Sequence, residues 1–225
     1  MPKLFLTARV FGVAPAQSAP VKVDQMPLAA AEGYVVHYTG RLLTQTHGDV
    51  LMALMSLLGG VEQGNEINVR ICDLERVLCR SSGKRNRDYL WDQIVDLGTA
   101  WLRVRHDGVE SFGALVPFGR WDGQAVTLEV NRDLIEFAHG GFTLIDRDAR
   151  RQLVRKPLAQ WLQLYTAWLA SDGRRAVELA EVHEASRSEM VRRKLRFRAK
   201  EALYELAAVG APAWRLDADD WLRAV

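Results

Sequence analysis

Two hydrophobic periods alternate along this chain. The first forty positions carry short extended runs, VKVDQMPL and GYVVHYTG, rich in Val and bounded by Pro and Gly, which read as strands. From Thr44 or Thr46, either of which can cap a helix, the spacing changes. Val50, Leu51, Leu54, Leu57 and Leu58 recur at helical intervals until Gly59-Gly60. INVRI at 67–71 alternates like a strand, and Asp73 is placed to cap a short helix carrying Leu74, Val77 and Leu78. SSG at 81–83 predicts a turn. A helix over about 84–97 then buries Leu90, Trp91, Ile94 and Leu97. Asp107-Gly108 between two alternating runs signals a hairpin, and QAVTLEVN adds a further strand.

The second half follows a similar order. Pro157 opens a helix in which Leu158, Trp161, Leu162, Tyr165, Trp168 and Leu169 share one face, until Asp172-Gly173 breaks it. A shorter helix over about 175–183 carries Val177, Leu179 and Val182. A long helix over about 188–208 is stopped by Gly210 and Pro212, and AWRLD and DDWLRAV close the chain. Helix, strand, helix, helix and hairpin is the order of a winged-helix module, a helix-turn-helix variant whose second helix enters a groove. The expected fold is therefore α+β, predominantly helical, with two tandem winged-helix domains. Residues 1–135 would hold an N-terminal extended segment and the first domain, and residues 136–225 the second, with a junction near 131–145.

Composition narrows the class. Hydrophobic residues make up 48% and charged residues 26% of the chain, enough apolar material for a core. The longest apolar stretches are about half the ~20 residues that a membrane span needs. At the N-terminus Lys3 and Arg9 bracket a short apolar piece followed by APAQSA, but Arg9 interrupts a run already too short for a signal peptide. A strand and a loop are expected there, in a cytoplasmic bacterial protein. Cys72 and Cys79 have neither disulfide-framework nor zinc spacing and read as small core residues.

Charge is distributed unevenly. The formal net charge is only +2, yet Arg187, Arg192, Arg193, Lys194, Arg196, Arg198 and Lys200 fall within fourteen residues. On a helical wheel Val191, Leu195, Ala199, Ala202 and Leu206 form the packed stripe. Arg193, Arg196, Phe197, Lys200 and Tyr204 form the opposite ridge, with Arg198 snorkelling outward. A solvated helix normally interleaves acids with bases, whereas here they wait until Glu201 and Glu205. Unpaired like charges one turn apart repel, so the ridge points to an external polyanion, with nucleic acid ahead of a protein or membrane surface. Arg193, Arg196 and Lys200 are the expected DNA contacts, and Arg187 and Arg192 the expected phosphate grips. Lys84, Arg85 and Arg87 open the earlier helix after SSG and are expected to touch DNA from the first module. Arg103 and Arg105 share one side of a hairpin strand with Trp101 and are candidate wing contacts.

Signatures of catalysis are absent from the sequence. It has no Gly-rich phosphate loop of the Walker type and no G-x-S-x-G elbow to accompany HGG at 139–141, which reads as a turn. The histidines at 37, 47, 106, 139 and 183 lack metal-site spacing. No enzyme activity, metal or cofactor is expected.

Three blocks, YTGRLLTQTHGDVLMALMSL, FTLIDRDARRQLVRKPLAQWLQLY and RFRAKEALYELAAVGAPAWRLD, resemble in order the plasmid replication initiators of the TrfA type. The resemblance spans roughly residues 35–222, and GFTLIDRDARRQL…KPLAQWL is its most specific part. It implies two winged-helix domains that bind directly repeated origin sequences (iterons) and help open the origin. It also implies contacts with the host replication initiator and the replicative helicase, and an inactive or autorepressing homodimer. The family's recognition helices correspond to about 84–97 and 188–206. His47-Gly48 stands where a more acidic, tryptophan-containing start is expected, and no clamp-binding pentapeptide is evident. The alternative on the same fold is a winged-helix transcriptional repressor, which would bind a palindrome as a dimer. A protein-interaction module whose basic ridge receives an acidic partner is the alternative of another class.

Overall fold

The computed structural model describes residues 5–6, 9–13, 21–28, 33–58, 66–131, 133–134 and 143–225. APAQSA, the Gly59-Gly60 stop, HGG and most of the expected junction lie outside them. The chain divides into two compact units, Pro20–His139 and a second made of Met1–Ala19 with Gly140–Val225. Residues 5–13 thus belong with the C-terminal unit, whereas the sequence groups them with the first module.

The central unit begins with strands β1 (Lys22–Leu28) and β2 (Val35–Arg41). Helix α1 (Gln45–Leu58), strand β3 (Glu66–Arg70) and helices α2 (Ile71–Val77) and α3 (Lys84–Gly98) follow. Four strands complete it: β4 (Trp101–His106), β5 (Val109–Ala114), β6 (Phe118–Trp121) and β7 (Ala125–Glu129). They form an antiparallel sheet of order β1-β2-β4-β5 and a second of order β3-β7-β6. Asp107 and Gly108 both adopt positive φ, 48° and 77°, as a two-residue type I′ hairpin requires.

Alternation decides which strand faces are buried. Val36, Tyr38, Leu102 and Val104 point into the core, where Leu51 and Leu54 of α1 and Leu90, Ile94 and Leu97 of α3 are also buried. Pro27 is tolerated because β1 is an edge strand. Gly40 has φ +139°, and a Cβ there would stand 2.5 Å from the Thr99 carbonyl oxygen, so only glycine fits this crossing.

Local expectations in this unit need correction at two places. The short helix starts at Ile71 after an Arg70 N-cap that makes no side-chain cap bond. Asp73 lies inside the first turn, where it accepts from Arg70 and Arg76. Cys79 is exposed with φ 51°, so it is no core residue, and Cys72 is half-buried. The start of α1 uses His47 where a capping box would place Glu or Gln: its Nδ1 accepts from the Thr44 N–H at 3.0 Å.

The C-terminal unit contains α4 (Arg147–Gln152), α5 (Pro157–Ser171), β8 (Ala176–Glu178), α6 (Leu179–Ser186), α7 (Arg192–Ala208), β9 (Trp214–Leu216) and β10 (Trp221–Ala224). Asp146 caps α4, accepting from the Asp148 and Ala149 N–H groups. Helix α5 is buried on almost every side and is the centre of this unit. The Tyr165 hydroxyl donates to Glu181 at 2.8 Å, and Arg174 donates to both Glu181 oxygens at 3.1 and 2.9 Å. Burial pulls the Glu181 carboxyl upward, but Arg174 and Tyr165 together hold it below its ordinary value.

The strands form a sheet of order β8-β10-β9. The shorter helix starts at Leu179 because Ala176–Glu178 pairs with β10 as a strand. The long basic helix starts at Arg192 because residues 187–191 turn the chain, with Arg187 in the left-handed region at φ 51°. Val191 is therefore the N-cap, 70% exposed, and does not join the packed stripe. Leu195, Ala199, Ala202, Leu203 and Leu206 do.

The two units repeat one order. Helix, strand, helix, helix and hairpin appear as α1, β3, α2, α3 and β6–β7, and again as α5, β8, α6, α7 and β9–β10. In both sheets the last strand lies between the other two. In both hairpins an aspartate organises the turn: Asp122 accepts from the Gln124 and Ala125 N–H groups, and Asp217 from those of Asp219 and Trp221. The Asp107-Gly108 hairpin is an insertion in this order, and its strand β4 pairs with β2.

Candidate nucleic-acid interface

Helices α3 and α7 hold equivalent places in the two units, and both begin against the usual electrostatic preference. Neither has an acid in its first turn. Lys84, Arg85 and Arg87 stand at the start of α3, and Arg192, Arg193 and Lys194 at the start of α7. A helix N-terminus carries partial positive charge, so each nearby cation opposes the dipole by roughly 0.3–1 kcal/mol. An anion at these ends would remove that repulsion.

On α7 the structure sorts the cations into engaged and unengaged groups. Arg192 donates to Asp220 Oδ2 at 3.0 Å, and Arg196 Nε stands 2.7 Å from Asp220 Oδ1. Arg196 also donates to the Asp217 and Ala218 carbonyls at 3.2 and 3.0 Å. Both arginines thus hold the β9–β10 turn beside the helix. Arg198 donates to Glu201 at 2.8 Å. Arg187 lies off the ridge, half-buried, and donates to the Val10 carbonyl at 2.7 Å. Its guanidinium covers Gly12 so closely that a Cβ there would sit 2.8 Å from Nε.

Arg193, Lys194 and Lys200 are exposed and have no ion pair among the described residues. Phe197, 62% exposed, and Tyr204, 79% exposed, share their side of the helix. The unengaged surface is therefore a strip of cations interleaved with two aromatic rings. The sequence places both rings on this ridge but assigns them no contact; burial of the opposite face is what leaves them in solvent.

On α3, Lys84 and Arg85 are exposed, while Arg87 Nε lies 3.7 Å from the buried Glu75 carboxylate of α2. The far end of α3 is tied down by Asp96, which accepts from Arg41 at 2.7 Å and faces His47 Nε2 at 3.1 Å. His47 Nδ1 already accepts from Thr44, so Nε2 carries the proton and donates to Asp96. Burial raises the Asp96 pKa, but the bonds from His47 and Arg41 outweigh it and hold the carboxyl below its ordinary value.

Arg103 and Arg105 lie on the outward face of β4, in the four-stranded sheet and apart from the β6–β7 hairpin. Arg103 is paired with Glu110 at 2.9 Å, and Trp101 stacks on Phe112 with centroids 6.2 Å apart. Among the described residues there is no cluster of three or more His, Cys, Asp or Glu able to hold a metal ion. No helix there is long and apolar enough to cross a membrane.

No family model and no curated protein sequence matches this chain. Solved structures do. Domains 2 and 3 of RctB, crystallised as a selenomethionine derivative, match with a TM-score of 0.65 at 14% identity, over 92% of this chain and 84% of that one. A second RctB structure of domains 2–3, residues 155–483, matches with a TM-score of 0.60 at 14% identity, over 87% of this chain and 81% of that one. The chain therefore shares its mixed α/β fold with RctB domains 2 and 3. The likeness does not extend to the TrfA-type assignment, which rests on the residue blocks alone.

Proposed function

We propose that this chain is a sequence-specific DNA-binding initiator of plasmid replication, of the TrfA type, without catalytic activity of its own. It would bind directly repeated origin sequences as duplex DNA through two winged-helix modules and help open the origin. The repeated order of helix, strand, helix, helix and hairpin supports the two-module reading, with α3 and α7 as the groove-entering helices. The likeness to RctB domains 2 and 3 supports a replication-initiator fold. The host replication initiator, the replicative helicase and a homodimer are the further partners that the family resemblance supplies.

One observation carries the reading. Arg193, Lys194 and Lys200 are exposed on α7 and make no ion pair among the described residues, beside two cations already committed to the hairpin turn. Such a strip lowers its energy by meeting phosphates and releasing their counterions. Arg193 and Lys200 are the contacts nearest the groove. Arg192 and Arg196 hold the turn beside it, and Arg187 lies outside the surface.

In-vitro selection from random duplex DNA at about 150 mM salt tests the proposal. The expected product is one directional motif, bound more tightly in tandem copies of the same orientation. A palindrome would replace the initiator with a dimeric repressor. No enrichment would remove DNA recognition altogether.

A further inference from the structure

Phe197 is the least explained side chain on α7. It is 62% exposed and takes part in no ring contact among the described residues. Arg193 lies one turn before it and Lys200 one turn after it, both exposed and without ion pairs among the described residues. The opposite face, through Leu195, Ala199 and Ala202, is buried, so the ring cannot turn into the core without unpacking the helix. An apolar ring is therefore held outward in the middle of a cationic strip.

The chemistry of a duplex offers such a ring one specific partner. In the major groove three bases present only hydrogen-bonding groups at their edges, whereas thymine adds a 5-methyl group. Phenylalanine can neither donate nor accept a hydrogen bond, so it cannot read those three edges. It can cover the methyl and exclude water from it. The flanking cations supply the phosphate attraction that would hold the helix in the groove long enough for this short-range contact to count.

We propose that Phe197 is a specificity-determining residue that reads a thymine in the bound duplex through its 5-methyl group. The proposal rests on the DNA-binding reading above and adds the identity of one base. Burying one methyl changes affinity roughly fourfold.

The test uses the duplex recovered by selection, with each thymine replaced in turn by deoxyuridine, which lacks only the methyl. The full chain should lose roughly fourfold in affinity at one position. Phe197→Ala should bind the unmodified duplex more weakly and show no further loss at that position. Tyr204→Ala, also on an exposed ring, should keep the loss. Equal deoxyuridine penalties in the wild type and Phe197→Ala would overturn the proposal, as would no sensitive position in the wild type. Either result would leave sequence-specific DNA binding standing. If selection recovers no preferred sequence, the DNA-binding reading fails and this proposal fails with it.

Discussion

Arg196 of α7 and Asp220 of the β9–β10 turn meet with Nε 2.7 Å from Oδ1, and Arg192 reaches the same carboxylate. One acid thus occupies two of the cations that a charge count assigns to DNA. Asp220 has φ 63°, a left-handed conformation that asparagine also tolerates. Asp220→Asn should therefore keep the turn while removing a negative charge from beside the cations of α7. DNA affinity should rise by about threefold at low salt, the size of one screened surface charge interaction. Fold stability should fall by no more than about 1 kcal/mol. Binding titrations and urea unfolding measure the two effects. Weaker binding would mean that the pair to Asp220 is what positions Arg192 and Arg196 for DNA.

Arg187 should behave as a structural residue. Its bond to the Val10 carbonyl and its cover over Gly12 fasten residues 10–13 within the C-terminal unit. Arg187→Ala should cost about 1.5–3 kcal/mol, the range for a hydrogen bond to a charged group, and leave the salt dependence of DNA binding unchanged. A change in salt dependence without loss of stability would return Arg187 to the DNA surface.

Asp96 sets a pH dependence. It joins β2, α1 and α3 through Arg41 and His47, and its pKa is lower in the folded chain than in the unfolded one. A depressed carboxylate stabilises the fold fully above its unfolded pKa, near ~4, and that stabilisation disappears as pH falls through the folded value. The wild type should exceed Asp96→Asn in unfolding free energy by a steady margin from about pH 7 to pH 5, and the margin should shrink below ~pH 4. A margin that does not narrow in acid would contradict this account of the bonds.

Arg87 separates from its neighbours in the same way. It is the cation beside the buried Glu75 carboxylate, whereas Lys84 and Arg85 are exposed at the start of α3. Arg87→Ala should destabilise the central unit by roughly 1–3 kcal/mol by leaving a buried charge without its counterion. Lys84→Ala with Arg85→Ala should stay within about 0.5 kcal/mol of the wild type in stability and weaken DNA binding at low salt. Thermal unfolding of the two variants distinguishes the roles.

Local signals were legible in the sequence. Pro157 and Gly210 mark where α5 begins and α7 ends, and Asp107-Gly108 is a hairpin turn, because each depends on backbone conformation within a few residues. The cationic ridge and its two exposed rings also follow from helical spacing. Pairing across the chain was not legible: β2 joins β4 through pairs from Val35 with Arg105 to Thr39 with Trp101, far apart in the chain, and nothing local encodes that choice. For the same reason a helix pattern concealed Ala176–Glu178, which is a strand only because Trp221–Arg223 lies against it. The division of the basic helix into engaged and unengaged cations depends on Asp217 and Asp220, some twenty residues downstream. Spacing within the helix cannot foretell it.

The most direct test of the central claim is the salt dependence of binding to the selected duplex. It should be measured for the wild type and for the combined variant Arg193→Ala, Lys194→Ala, Lys200→Ala, three residues with no ion pair among the described residues. If these residues meet phosphates, the slope of log K against log salt should become shallower by about two to three units, at roughly 0.9 per contact, with the unfolding curve unchanged. An unchanged slope and affinity would show that the exposed face of α7 is not where DNA binds.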